Sequence, residues 1–105
     1  MNFATLAGLR SHLEIKHHIP GRIRIKFDLA LTTDPTMLRM ARDRGELPPG
    51  VRSARLNAMA RSVVIEYDAE HIPPELLEEL VTTRGQERAE ALLRELDAIL
   101  RNINA

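Results

Sequence analysis

The 105-residue chain contains no cysteine and no tryptophan. The first absence removes disulfides, thiolate metal sites and cysteine nucleophiles together. Aromatic residues make up 3% of the chain, two Phe and one Tyr, and the basic residues of 22–26 sit beside no aromatic stacking platform. Lys plus Arg balances Asp plus Glu at 15 each, so net charge gives no reason to expect a phosphate-rich partner, and no nucleic acid is expected. No apolar run approaches the roughly 20 residues of a membrane-spanning helix. Residues 1–10 lack the basic start and apolar stretch of a signal peptide, so a soluble, cytoplasmic protein is the expectation. No Ser-His-Asp elbow, P-loop, HExxH or glycine-rich dinucleotide motif is present, and no catalysis is expected.

What is there is organised around residues 13–28, LEIKHHIPGRIRIKFD. Odd positions carry Leu13, Ile15, His17, Ile19, Ile23, Ile25 and Phe27; even positions carry Glu14, Lys16, His18, Arg22, Arg24, Lys26 and Asp28. This period of two reads as one half-buried strand. Pro20 removes a ladder donor and Gly21 permits a bend, so the strand is expected to kink there without losing phase.

Along the rest of the chain, Phe3, Leu6 and Leu9 recur three apart, consistent with a short helix weakened by Gly8, a small hydrophobic tag or a disordered start. Asp34 before Pro35 reads as a helix start, with Met37, Leu38 and Ala41 as its buried stripe, Gly45 as its end and Pro48-Pro49-Gly50 as a turn. Val51–Ala58 and Ser62–Tyr67 alternate and predict an antiparallel hairpin. Pro74 opens a helix carrying Leu76, Leu77, Leu80 and Val81 on one face. Thr83 and Gln86 have capping-box spacing before a longer amphipathic helix bearing Ala89, Leu92, Leu93, Leu96, Ile99, Leu100 and Ile103. That stripe must fold back on its own sheet or pair with a second copy.

The order β-α-β-β-α plus an extra helix predicts an α+β domain with helices on one face of an antiparallel sheet. The chain divides into an N-terminal segment 1–12, a domain 13–82 and a C-terminal helix 83–105. A split βαβ fold wants a fourth strand after residue 82, where a helix pattern stands instead. The edge that strand would cover is left open, or covered by residues 13–18 or by another chain.

Pro49-Gly50-Val51, Ala54-Arg55-Leu56-Asn57, Val63-Val64-Ile65-Glu66-Tyr67-Asp68 and Pro74-Glu75-Leu76-Leu77 resemble, in order and spacing, a run in the heavy-metal-associated domain family, over about residues 22–82. The resemblance implies a ferredoxin-like fold whose last strand is here replaced. The family's metal loop normally carries a CxxC pair after the first strand. Here that place, residues 29–35, reads LALTTDP, so thiolate-bound Cu or Zn does not carry over. His18-Ile19-Pro20-Gly21-Arg22-Ile23-Arg24 is similar to the HxPGRxR motif of a cysteine-free subgroup found with P-type cation ATPases, including those of ferrosomes. This implies handling of a metal or haem, iron-linked, or docking to such a transporter, with peripheral membrane association as a corollary.

The candidate metal ligands are His17 and His18. On a regular strand they face opposite ways and cannot chelate one ion together. His18 with Glu14, or one His from each of two chains, completes a site for Zn, Fe or Ni, or ligates haem iron axially. The plain alternative makes His17 a semi-buried core residue and His18 a surface one. Arg22 and Arg24, beside the Pro20-Gly21 bend, form a candidate anion site for a phosphate, a haem propionate or an acidic partner; otherwise they keep a sheet edge soluble. Met37 and Met40 are soft donors, more often core filler. Against the binding-module reading stands a ligand-free interaction protein that homo-oligomerises or docks through the open edge and the C-terminal helix.

Overall fold

The computed structural model describes residues 2–35, 38–39 and 47–103. Four strands, β1 (Leu13–Ile19), β2 (Arg22–Phe27), β3 (Val51–Asn57) and β4 (Ser62–Tyr67), form one antiparallel sheet in the order β1-β2-β4-β3. Three helices, α1 (Phe3–Gly8), α2 (Pro74–Thr82) and α3 (Gln86–Ile103), complete the described elements. The architecture is α+β and ferredoxin-like. The position a fourth strand would take after α2 is filled by β1, so residues 13–18 do cover that edge.

The expectation of a single kinked strand over 13–28 is corrected. Pro20-Gly21 reverses the chain completely, because proline's fixed φ followed by Gly21 at φ +93° suits the central pair of a type II turn. A side chain at Gly21 would be strained by that φ, and its Cβ would sit 3.4 Å from the Tyr67 carbonyl oxygen. The alternation survives the reversal for a specific reason. Leu13 pairs with Phe27 and Ile15 with Ile25, a register that would leave Pro20 alone in the loop. A bulge at Lys16 adds one residue, so that His17 pairs with Arg24, His18 with Ile23 and Ile19 with Arg22 around a two-residue turn. The bulge also moves β1 half a period, exchanging its faces beyond residue 16.

The second hairpin forms as expected, with Ala54 opposite Ile65 and Leu56 opposite Val63. Ile23, Ile25, Ile65 and Tyr67 from the sheet share one core with Leu77, Leu80 and Val81 of α2 and Leu92, Leu96 and Leu100 of α3. Leu92, Leu96 and Leu100 of the α3 stripe are thus covered by their own chain. Helix α1 is neither a tag nor disordered. Asn2 caps it by accepting from the Thr5 amide at 2.7 Å, and Phe3, Leu6 and Ala7 enter the same core. Arg10 holds this segment in place by donating to the Ala7 and Thr83 carbonyls at 2.7 and 2.9 Å.

The Thr83–Gln86 capping box does not form. Thr83 is extended at the end of α2, its hydroxyl accepts from the Gly85 amide, and Gln86 reaches Arg10 and Glu90 instead. A helical turn begins at Pro35, where the Leu38 amide donates to the Asp34 carbonyl at 3.0 Å. Leu38, expected in a buried stripe, is exposed; Met37, Met40, Ala41 and Gly45 lie outside the described residues.

Candidate functional site

The bulge at Lys16 decides where the two adjacent histidines go. They do face opposite ways, but in the reverse sense to the expectation. His17 is exposed on the outer face; His18 points inward beside Ile23, with its side chain 6% exposed. Pairing of His18 with Glu14 is also corrected. Glu14 precedes the bulge, faces outward and bonds Lys16 at 3.1 Å.

His18 is held by two side chains absent from the sequence-based site. Its Nε2 lies 2.6 Å from the Tyr67 hydroxyl, and its Nδ1 lies 3.0 Å from Glu78 Oε2. The neutral tautomer satisfies both: Nδ1–H donates to the carboxylate and Nε2 accepts the phenol proton. Tyr67 is brought by β4, and Glu78 by the face of α2 that lies over β1. Burial pushes the Tyr67 phenol above its ordinary range; backbone hydrogen bonding at Gly21 opposes this, and the Glu75 and Glu78 carboxylates add to it. Helix α2 carries Glu75, Glu78 and Glu79 and no Lys or Arg, so the surroundings of His18 are acidic.

His17 has the opposite surroundings. It heads a cross-strand row of His17, Arg24, Val64 and Arg55 on the outer face, next to a row of Ile19, Arg22, Glu66 and Ser53. His17, Arg22, Arg24, Lys26 and Arg55 have no hydrogen-bonding or charged partner among the described residues. The structure therefore keeps Arg22, Arg24 and His17 together beside the Pro20-Gly21 turn and separates His18 from them.

At the far end of this hairpin, beside residues 29–35, sits a cluster that sequence reasoning missed. His12 Nδ1 lies 2.9 Å from Asp28 Oδ2, while Asp28 Oδ1 accepts from the Ala30 amide at 3.1 Å and caps a 3-10 turn over Leu29–Thr33. Once 13 is known to face 27, this pair follows from register. The Tyr67 and Glu78 partners of His18, 49 and 60 residues away, leave no local signal.

Thiolate chemistry does not fit this chain, which has no cysteine. Among the described residues no three His, Cys, Asp or Glu side chains converge to hold a metal ion. At His18 two donors face each other, the imidazole Nδ1 and Glu78 Oε2, while the Tyr67 phenol lies at the other ring nitrogen, Nε2. Imidazole and carboxylate are borderline-to-hard donors, suited to iron, zinc or nickel rather than Cu(I). No helix among the described residues is long and apolar enough to cross a membrane.

No curated protein and no solved structure gave a significant match. A family model described as heavy metal associated domain 2 matches residues 2–102. Strand order, hairpin register and this match agree: the chain is a cysteine-free member of the heavy metal associated domain 2 family.

Proposed function

We propose that the protein is a non-enzymatic, cytoplasmic metal-handling module whose cargo is a divalent ion, iron foremost, taken between His18 Nδ1 and Glu78, with Tyr67 holding the imidazole through Nε2. The observation that carries this reading is the 3.0 Å separation of His18 Nδ1 and Glu78 Oε2. Two donors bound to one ion at about 2.0–2.2 Å each sit roughly this far apart. An ion can therefore replace the shared proton with little movement, and Glu78, 56% exposed in its side chain, has room to adjust. Loading keeps the imidazole neutral: its proton moves from Nδ1 to Nε2, where the Tyr67 hydroxyl oxygen accepts it. Arg22, Arg24 and the turn between β1 and β2 are the docking side, presented to an acidic surface of a P-type cation ATPase or ferrosome-type transporter at the membrane.

The test is calorimetric titration with Fe(II), Zn(II) and Ni(II), repeated on His18→Ala and Glu78→Gln. Binding to the parent protein that drops at least tenfold in both variants is expected. Unchanged binding in His18→Ala removes the site.

A second reading is favoured by the five outer-face groups without partners: a ligand-free docking protein. The apolar stripe of α3 is already buried at home, so association with a partner or a second copy would run through the outer sheet face. Salt-sensitive association that survives His18→Ala and disappears in Arg22→Glu/Arg24→Glu is its signature.

A further inference from the structure

The outer face of the sheet carries a charge pattern that the His18 site does not use. Every outward residue of β2 is basic: Arg22, Arg24 and Lys26. Arg55 of β3 stands in the row of Arg24, and the described helices pack on the other side of the sheet. The chain as a whole is neutral, with 15 basic and 15 acidic residues, so the pattern is segregation of charge rather than general basicity. Two carboxylates share the face. Glu14 is bonded to Lys16, and Glu66 stands beside Arg22 without an ion pair between them. We infer that this face binds an extended acidic segment of another protein, laid along β2 with a carboxylate at every second residue.

Spacing favours this partner first. Outward side chains of a strand repeat every two residues, about 6.6 Å, and so do alternate side chains of an extended peptide. Three carboxylates can therefore meet Arg22, Arg24 and Lys26 in register, two of them through guanidinium forks. Carboxylates four apart on a helix repeat at about 6.0 Å and fit the row less well. The strand beneath is central, bonded to β1 on one side and β4 on the other, so its backbone is ordered before any partner arrives. The composition of the face argues against other polyanions. Phe3, Phe27 and Tyr67, the only aromatic residues, all face the core, which leaves no Phe, Tyr or Trp ring outside for a base to stack on. An anionic bilayer would press Glu14 and Glu66 against its headgroups together with the basic row. A second copy docking face to face would set two basic rows against each other. A peptide avoids these costs and gains apolar contact at the margins, where exposed Ile19 stands beside Arg22 and half-buried Val64 lies between Arg24 and Arg55.

The inference rests on the reading of the outer face as the docking side and names what docks there. The test is fluorescence anisotropy of labelled probes titrated with the full chain. One probe is a Ser peptide with Glu at every second residue. Another has the same number of Glu at every third residue, which turns successive carboxylates to opposite faces of an extended chain. An oligothymidine strand and phosphatidylserine vesicles stand for the other polyanions. The alternating peptide is expected to bind several-fold more tightly than the other probes, to weaken as salt is raised, and to lose at least tenfold in Arg22→Ser/Arg24→Ser. Arg84→Ser/Arg94→Ser removes as much charge from exposed positions outside the sheet and leaves the affinity unchanged, as does His18→Ala. An unaltered circular dichroism spectrum in the Arg22/Arg24 variant shows that the loss is not unfolding. Equal binding of the two peptides overturns the inference while the docking reading stands. Tighter binding of the oligonucleotide or the vesicles overturns it in favour of that partner. No binding of any probe, or binding untouched by Arg22→Ser/Arg24→Ser, overturns this inference and the docking reading together.

Discussion

His17 and His18 are adjacent in the chain and occupy opposed chemical settings. The first stands in solvent among guanidinium groups on the outer face of the sheet. The second is enclosed between a phenol and a carboxylate under an acidic helix. Identical side chains one residue apart thus present different chemistry; strand alternation makes them differ, and one extra residue in the strand decides which takes which side. Residue type alone does not make a metal ligand; the field of its neighbours selects what it can hold. Guanidinium surroundings favour anions, carboxylate surroundings favour cations.

The largest effect should come from breaking the register that the bulge sets. Deleting Pro20 leaves a single residue, Gly21, between the paired Ile19 and Arg22, too few for the turn while the bulge at Lys16 is kept. The variant must either abandon the turn or give up the bulge and rotate the far half of β1, placing His17 inside opposite Ile23 and His18 outside opposite Arg22. A loss on the order of 3 kcal/mol or more is expected in denaturant unfolding, together with loss of the Tyr67 contact. Stability equal to the parent's would break the comparison at its root.

Truncation of each histidine should give the next largest difference. His18→Ala leaves the buried Tyr67 hydroxyl without a partner and opens a void, at a cost of about 2–3 kcal/mol. His17→Ala removes an exposed side chain and should lie within about 0.5 kcal/mol of the parent. Equal losses would mean the two settings do not differ energetically.

These contrasts show what was legible beforehand and what was not. Strand and helix positions were readable because Ile23, Ile25, Ile65, Leu77, Leu80, Leu92 and Leu96 repeat at the periods their elements demand, and all are buried. The covering of the open edge by residues 13–18 was readable only as one of several outcomes. The turn at Pro20-Gly21 was not separated from a kink, because a bulge and a reversal together preserve the odd-numbered alternation of a straight strand. Of the candidate site, parity put Arg22 and Arg24 together on the polar face but grouped His18 with them and His17 with the apolar side, the reverse of the observed arrangement. His18 was placed on the wrong face, since a bulge has no signature in LEIKHHI. Tyr67 and Glu78 were out of reach, because their contact with His18 is made by the packing of α2 and by strand pairing rather than by spacing.

A smaller effect sharpens the contrast from the His18 side, and the chain offers a clean reporter. Tyr67 is the only tyrosine and there is no tryptophan, so phenol absorbance near 295 nm reports this one group. Its pKa is raised in the folded protein, chiefly by burial. The sign follows from linkage. The unfolded chain ionises Tyr67 near pH 10 while the folded chain still holds the proton, so the folded state binds more protons in that window. Stability from this group is complete below about pH 10 and is lost as pH climbs through the raised folded value. Titration should therefore show a phenol ionising above 10, with unfolding beginning in the same range. Glu75→Gln/Glu78→Gln should move the midpoint back toward 10, though only part of the way, since burial is the larger cause. Arg24→Glu, on the far face of the sheet, should leave it unmoved. A midpoint at or below 10, or one that responds equally to both faces, would show that the enclosure of His18 and Tyr67 does not set their chemistry apart from that of the open face.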